Sequence, residues 1–255
     1  MSLLQEVEKQ DASQHEEISE RNYVVIGNKK VRMEDVMEAF GGTLNPGRAV
    51  ASPYKFANPS PLGLCGFALT TFVLSICNVQ GLHLKSPAIV IGLAYFYGGF
   101  VQLCAGMWEI AVGNTFAGTA LSSYGGFWLS WAAIETPTFG IVAAYEEDGT
   151  IGKAVGFYLL GWLIFTVGLT LCTLKSTVAF FSLFFFLDIT FLLLTIGNFV
   201  GSENCIKAGG AFGILTALLA WYNAFAGVAN AENSYLTAQP ILLPGNAAYH
   251  ERKNA

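Results

Sequence analysis

Six stretches of the chain are nearly free of charge. They are Phe56–Leu84, Ser86–Trp108, Ile110–Ile134, Ala154–Leu174, Ser176–Ser202 and Ala208–Ala231, and Asp188 alone interrupts the fifth. Each is at least about 20 residues long, enough to cross roughly 30 Å of hydrocarbon at about 1.5 Å per residue. The pattern predicts an all-α integral membrane protein with six transmembrane helices. Before them the pattern reverses: Glu6, Glu8, Asp11, Glu16, Glu17 and Glu20 precede Lys29, Lys30 and Arg32, without the apolar core of a signal peptide. The expected organisation is a polar, partly disordered N-terminal tail over residues 1–55 with a short structured stretch near Val31–Phe40. A six-helix transmembrane domain over 56–233 and a polar C-terminal tail over 234–255 follow.

Composition agrees with the pattern. Charged residues are 12% of the chain, about half the soluble average, and hydrophobic residues are 53%. Both termini lie on one side of a six-span protein, and the positive-inside count favours the cytoplasm. Arg48, Lys55, Lys175, Arg252 and Lys253 fall inside, and Lys85, Lys153 and Lys207 outside. The net charge of −5 argues against a nucleic-acid partner. Five cysteines with no Cys-x-x-Cys pair and three scattered histidines indicate neither a metal site nor a His-based catalytic set. With no cofactor motif and no nucleophile–base pairing, the chain reads as a non-enzyme without cofactors.

The first span opens with Asn58-Pro59-Ser60-Pro61-Leu62-Gly63-Leu64-Cys65-Gly66-Phe67. Prolines suit a first helical turn but not a helix interior, and they bias the preceding residue toward extended geometry. Asn58 and Ser60 are therefore expected to be extended, with Ser60 the N-cap and Pro61 the first helical residue. The N–H groups and partial positive charge of that end suit either a plain helix start at the bilayer surface or an entrance for small anions.

These residues resemble the signature of the acetate uptake transporter family, the succinate–acetate permeases of bacteria and the plasma-membrane acetate permeases of fungi. The signature is Asn-Pro-(Ala/Val)-Pro-(Leu/Phe)-Gly-Leu-x-(Gly/Ser/Ala)-Phe, from which only Ser60 departs. Phe96-Tyr97-Gly98-Gly99, Gln102, Gly113-Asn114-Thr115-Phe116, Ser123-Tyr124-Gly125-Gly126-Phe127-Trp128 and Ile196-Gly197-Asn198 also match. The upstream Phe40-Gly41-Gly42-Thr43-Leu44-Asn45-Pro46-Gly47 looks like the fungal branch. The resemblance implies transport of acetate, with succinate as a further substrate. It also implies a homo-hexamer in which each protomer has its own pore, and a Phe–Tyr–Leu constriction at Phe67, Tyr124 and Leu187.

Depth fits that implication. With cytoplasmic termini the first, third and fifth spans all run outward. Phe67 is then about six residues above Pro61, Tyr124 about ten above Asn114 and Leu187 about eleven above Ser176, a band of roughly 9–17 Å. Three bulky side chains at one depth can form a hydrophobic neck, although Phe and Leu in apolar spans also serve as plain packing. A carboxylate needs neutral donors rather than a cation that would trap it. Asn58, Ser60, Thr70, Gln102, Asn114, Thr115, Ser123 and Asn198 are the candidates to line the entrance and the path; helix-to-helix hydrogen bonding is the alternative for each.

Three acids lie in or beside spans. A charged Asp188 near mid-span would cost on the order of 2.5–3.5 kcal/mol, so it is protonated, paired or facing water. Glu109, near the end of the second span, is expected to be more easily solvated. Glu135 precedes Pro137 at the exit of the third. The resulting reading is a transporter of acetate and other short monocarboxylates, channel-like or proton-coupled. A channel for small neutral solutes, such as ammonia, urea or undissociated acetic acid, is the alternative, because a narrow apolar neck serves a neutral molecule equally well.

Overall fold

The structure is a computed structural model that describes residues 23–26, 29–32, 56–84 and 86–245. The chain divides into two compact units, residues 1–54 and 55–255. In the first, β1 (Tyr23–Ile26) pairs antiparallel with β2 (Lys29–Arg32), Tyr23 opposite Arg32 and Ile26 opposite Lys29. This hairpin was not expected from the sequence. Beyond Arg32, the stretch anticipated near Val31–Phe40 lies outside the described residues.

The second unit is helical. The described residues hold α1 (Ser60–Asn78), α2 (Ile89–Ala111), α3 (Thr115–Glu135), α4 (Ile151–Cys172), α5 (Val178–Val200) and α6 (Glu203–Val228). All but α3 are long and apolar enough to cross a membrane. α3 has 21 residues, but its Gly118, Thr119, Ser122, Ser123, Gly125 and Gly126 dilute its hydropathy. The outward surface is apolar: Ile89, Phe96, Phe157, Ile164 and Leu171 each expose more than half of their side chains. Such a surface suits lipid and not water. The chain is therefore a membrane protein.

The helix ends depart from the charge-free runs. α4 takes in Lys153 and α6 takes in Glu203 and Lys207, because charges at helix ends reach the interface. Glu203 and Lys207 pair one turn apart at 3.5 Å. The start of α1 also differs. Ser60 is helical, Pro59 occupies the cap position, and no side chain caps the helix there. Asn58 Oδ1 instead accepts the Ser60 N–H at 3.1 Å. The Ser60 hydroxyl donates to Glu109.

α1 packs against α6, α6 against α5, α5 against α4, and α2 against α3. Glycines set these distances. A Cβ on Gly98 would lie 2.5 Å from Thr70 Oγ1, and one on Gly106 would lie 2.4 Å from the Ser122 backbone nitrogen. Gly156 faces Phe199, Gly209 faces Leu194, and Gly213 faces Ser75, so these small-residue positions serve packing within the chain. Within α2 a π-helical turn, Phe96–Val101, carries Gly98 and Gly99 and precedes Gln102. Such a turn adds a residue to the helix and re-aims the side chains that follow. After α6 the chain returns to the start of α5. Val178 N–H donates to Ile241 O at 2.8 Å, and Leu243 N–H to Ser176 O at 3.0 Å.

Gly106→Val should destabilise the bundle by about 1–3 kcal/mol through overpacking of α2 on α3. Thermal unfolding of the purified protein in detergent checks this; an unchanged melting temperature would contradict so close an approach.

Candidate functional site

Four helices border one small cavity of about 50 Å³. α1 contributes Ser60, Leu64 and Phe67; α2 contributes Gln102; α3 contributes Phe116, Ala117, Ala120, Leu121 and Tyr124; α5 contributes Phe180, Leu183, Phe184 and Leu187. On each of α1, α3 and α5 the lining positions recur every three or four residues, which is one face of a helix. On all three the lining starts within the first helical turns and runs inward. The three helices thus lie along the cavity in the same direction, with their positive N-terminal ends toward one mouth.

The sequence-predicted neck residues meet there. Phe67, Tyr124 and Leu187 are 5%, 3% and 3% exposed. The rings of Phe67 and Tyr124 are 5.7 Å apart, and Tyr124 also packs edge-on against Phe165 at 5.6 Å. Nearer the mouth, Phe116, Phe180 and Phe184 form a triangle with centroids 5.3–5.8 Å apart. These rings come from neighbouring helices and fix the cavity walls by mutual packing.

The phenol of Tyr124 is held from behind. Thr166 on α4 donates its single hydroxyl hydrogen to Trp162 O at 2.7 Å. It must therefore accept from Tyr124 in the 2.9 Å contact between their hydroxyls. One turn on, Thr170 donates to Asp188 Oδ2 at 2.6 Å, with Thr166 O a second acceptor at 3.0 Å. Asp188 Oδ1 is buried with no partner among the described residues. Asp188 therefore sits at the α4–α5 contact, outside the cavity lining.

Gln102 is fully buried, and its Nε2 donates to Leu121 O at 3.3 Å. Its Oε1 has no partner among the described residues. Ser60 touches the cavity while its hydroxyl donates to Glu109. Glu109 is only 1% exposed, contrary to the solvated acid expected from its place near a span end. The start of α1 folds over it and supplies the Ser60 donor.

The other candidates lie elsewhere. Thr70 donates to Gly66 O and Asn198 to Leu194 O, each within its own helix. Asn114 caps α3 by accepting from Ala117 N–H at 3.2 Å, Asn58 makes the turn before α1, and Thr115 is exposed. Neither Thr115 nor Ser123 touches the cavity. Sequence reasoning missed Leu64, Phe116, Ala120, Leu183 and Phe184, although their spacing to Phe67, Tyr124 and Leu187 follows one helical face. It also missed Thr166, for which a threonine in an apolar span gives no directional signal.

A family profile described as the GPR1/FUN34/yaaH family matches residues 40–245. The chain belongs to this family. It is 57% identical over 225 residues to Ammonia transport outward protein 2 of Saccharomyces cerevisiae, a match covering 88% of this chain and 80% of that one. It is 51% identical over 215 residues to Acetate permease A of Emericella nidulans, covering 79% and 72%. The solved structure of the bacterial acetate channel SatP superposes with a TM-score of 0.65 at 39% identity, covering 73% of this chain and 99% of that one. Within the family profile lie all four cavity-lining helices.

Thr166→Val keeps the side-chain shape but strips the buried Tyr124 hydroxyl of its acceptor. The variant should lose about 1–3 kcal/mol of stability. Combined with Tyr124→Phe, which removes the stranded hydroxyl, most of that loss should disappear. A double-mutant cycle on detergent melting measures the coupling; additive losses would mean that the two hydroxyls do not depend on each other.

Proposed function

We propose that this protein carries acetate and other short monocarboxylates across a membrane through the cavity inside each protomer, with succinate as a further substrate. The observation that carries the reading is the meeting of Phe67, Tyr124 and Leu187 around a single narrow apolar cavity. A buried water needs about 10–15 Å³, so about 50 Å³ suits a solute of only a few heavy atoms. Acetate has four. Three helix N-termini at the mouth favour an approaching carboxylate. The names of the acetate permease and acetate channel relatives support the same substrate class.

In this reading all six helices span, α3 included, because Gly118, Ser122 and Gly125, which dilute its hydropathy, pack against α2 rather than facing lipid. Both termini are cytoplasmic and the membrane is the plasma membrane. Residues 1–55 and 234–255 are cytoplasmic tails flanking the transmembrane domain at 56–233. Six protomers assemble, each with its own pore. The protein does no covalent chemistry. Asn58, Ser60, Asn114 and Thr115 surround the entrance and Gln102 faces the path beside the neck, while Thr70, Ser123 and Asn198 serve it away from the cavity lining. A second reading, passage of ammonia, is favoured by the name of the yeast relative and by the apolar walls.

Leu187→Ala removes three carbons from the neck. Lactate should then compete with labelled acetate uptake several-fold better than in the unaltered protein. Thermal unfolding, expected to fall by about 2–5 kcal/mol for a buried Leu→Ala change, identifies folded protein. Unchanged discrimination among acetate, lactate and succinate in folded Leu187→Ala would contradict the neck.

A further inference from the structure

Resting on the neck proposed above, we infer that Asp188, which does not touch the cavity, is a positioning residue that sets the width of the neck by tying the helix of Leu187 to α4. The inference starts from how poorly the acid suits its place. Asp188 is the single acid or base in a long apolar run, where a charge is costly and every polar atom needs a protein partner. It is satisfied only in part. Oδ2 accepts from Thr170, while Oδ1 is buried without a partner among the described residues. An apolar side chain of similar volume would pack α5 on α4 without that cost. Stability alone therefore gives no reason for the acid.

What the acid supplies is position. Apolar side chains in contact can slide, whereas a hydrogen bond holds two particular atoms within about 3 Å. The bond from Thr170 to Asp188, at 2.6 Å, is the only side-chain hydrogen bond between α4 and α5 among the described residues. Near the other end of α5, away from the cavity mouth, the two helices meet through Gly156 and Phe157 against Phe199. The tether thus acts at the residue next to Leu187, which is on the cavity wall.

α4 is held to the facing wall as well. Thr166, one turn and about 6 Å before Thr170, accepts from the Tyr124 hydroxyl. A second bridge, from the Tyr158 hydroxyl to Phe127 O at 3.0 Å, holds α4 against α3. α4 therefore carries, one turn apart, the partners of Tyr124 on α3 and of Asp188 on α5. Neither threonine lines the cavity. Together they form a strap behind it that fixes how far Leu187 stands from Tyr124.

The strap can be cut at its α5 end without stranding an atom. Thr170 Oγ1 has Thr166 O as a second acceptor at 3.0 Å, so its hydroxyl stays satisfied when the carboxyl is gone. Asp188→Leu is similar in shape and apolar in an apolar span. Asp188→Asn keeps a carbonyl oxygen for Thr170.

The test uses the purified full chain in liposomes, with protein-free liposomes subtracted, and reads how well lactate competes with labelled-acetate uptake. Detergent melting identifies folded protein. Asp188→Leu should improve lactate competition at least about twofold, the lower end of the coupling between contacting residues. Asp188→Asn should keep the discrimination of the unaltered protein. Adding Asp188→Leu to Leu187→Ala, whose neck is already wide, should change the competition little. A residue that serves folding alone would shift melting and leave discrimination as it was. Unchanged discrimination in folded Asp188→Leu would therefore overturn the inference and leave acetate transport standing. Equal shifts in Asp188→Leu and Asp188→Asn would overturn it too, because the bond to Thr170 would not be what matters. No protein-dependent acetate uptake by the unaltered chain would overturn the function itself, and the inference with it. Should Asp188→Leu fail to fold, combining it with Thr170→Val replaces both partners by apolar groups of like shape, a nearly neutral change for stability, and the same competition decides.

Discussion

Inside hydrocarbon a polar atom has no water to bond, so its partner must come from the protein. The wall of the cavity is shaped by that rule. Tyr124 carries the one hydroxyl among its bulky residues, and Thr166 on α4 takes its hydrogen. With its phenol tethered to α4, Tyr124 lines the cavity together with Phe67 and Leu187. α4 never touches the cavity, yet it sets the position of one of its walls. The same rule puts Ser60 over Glu109 and Thr170 against Asp188, so two acids that look exposed or stranded in the sequence have hydroxyl partners. It also makes the partnerless Gln102 oxygen conspicuous.

Close backbone approach makes these contacts possible. Gly98 and Gly106 let α2 sit against α1 and α3 at distances that a side chain would forbid. The π-helical turn just before Gln102 then aims the amide where its nitrogen reaches Leu121 O. The aromatic rings of the cavity wall brace one another, as Phe116 is braced by Phe180 and Phe184.

Much of this was legible in the chain. Runs without charge located the helices, because spanning hydrocarbon demands them. The run ends were misread wherever a charge sits in a terminal turn, as at Lys153, Glu203 and Lys207. Counting residues from helix starts brought Phe67, Tyr124 and Leu187 to one depth, since α1, α3 and α5 run in the same direction. The polar candidates fared less well. Thr70 and Asn198 bond back to their own helices, an option open to any Thr or Asn that spacing alone cannot exclude. Thr166 and Glu109 were beyond reach, because their roles depend on which side chain from another helix faces them. The β1–β2 hairpin lacked a signal strong enough to stand out from a charged tail.

On the proposed function, the solute path runs between α1, α2, α3 and α5. Crystals grown with bromoacetate would test it most directly, because bromine marks the solute by its anomalous scattering. The account predicts a bromine peak in the cavity bounded by Phe67, Gln102, Tyr124 and Leu187. Peaks confined to the outer surface of the helices, with that cavity empty at saturating bromoacetate, would contradict it.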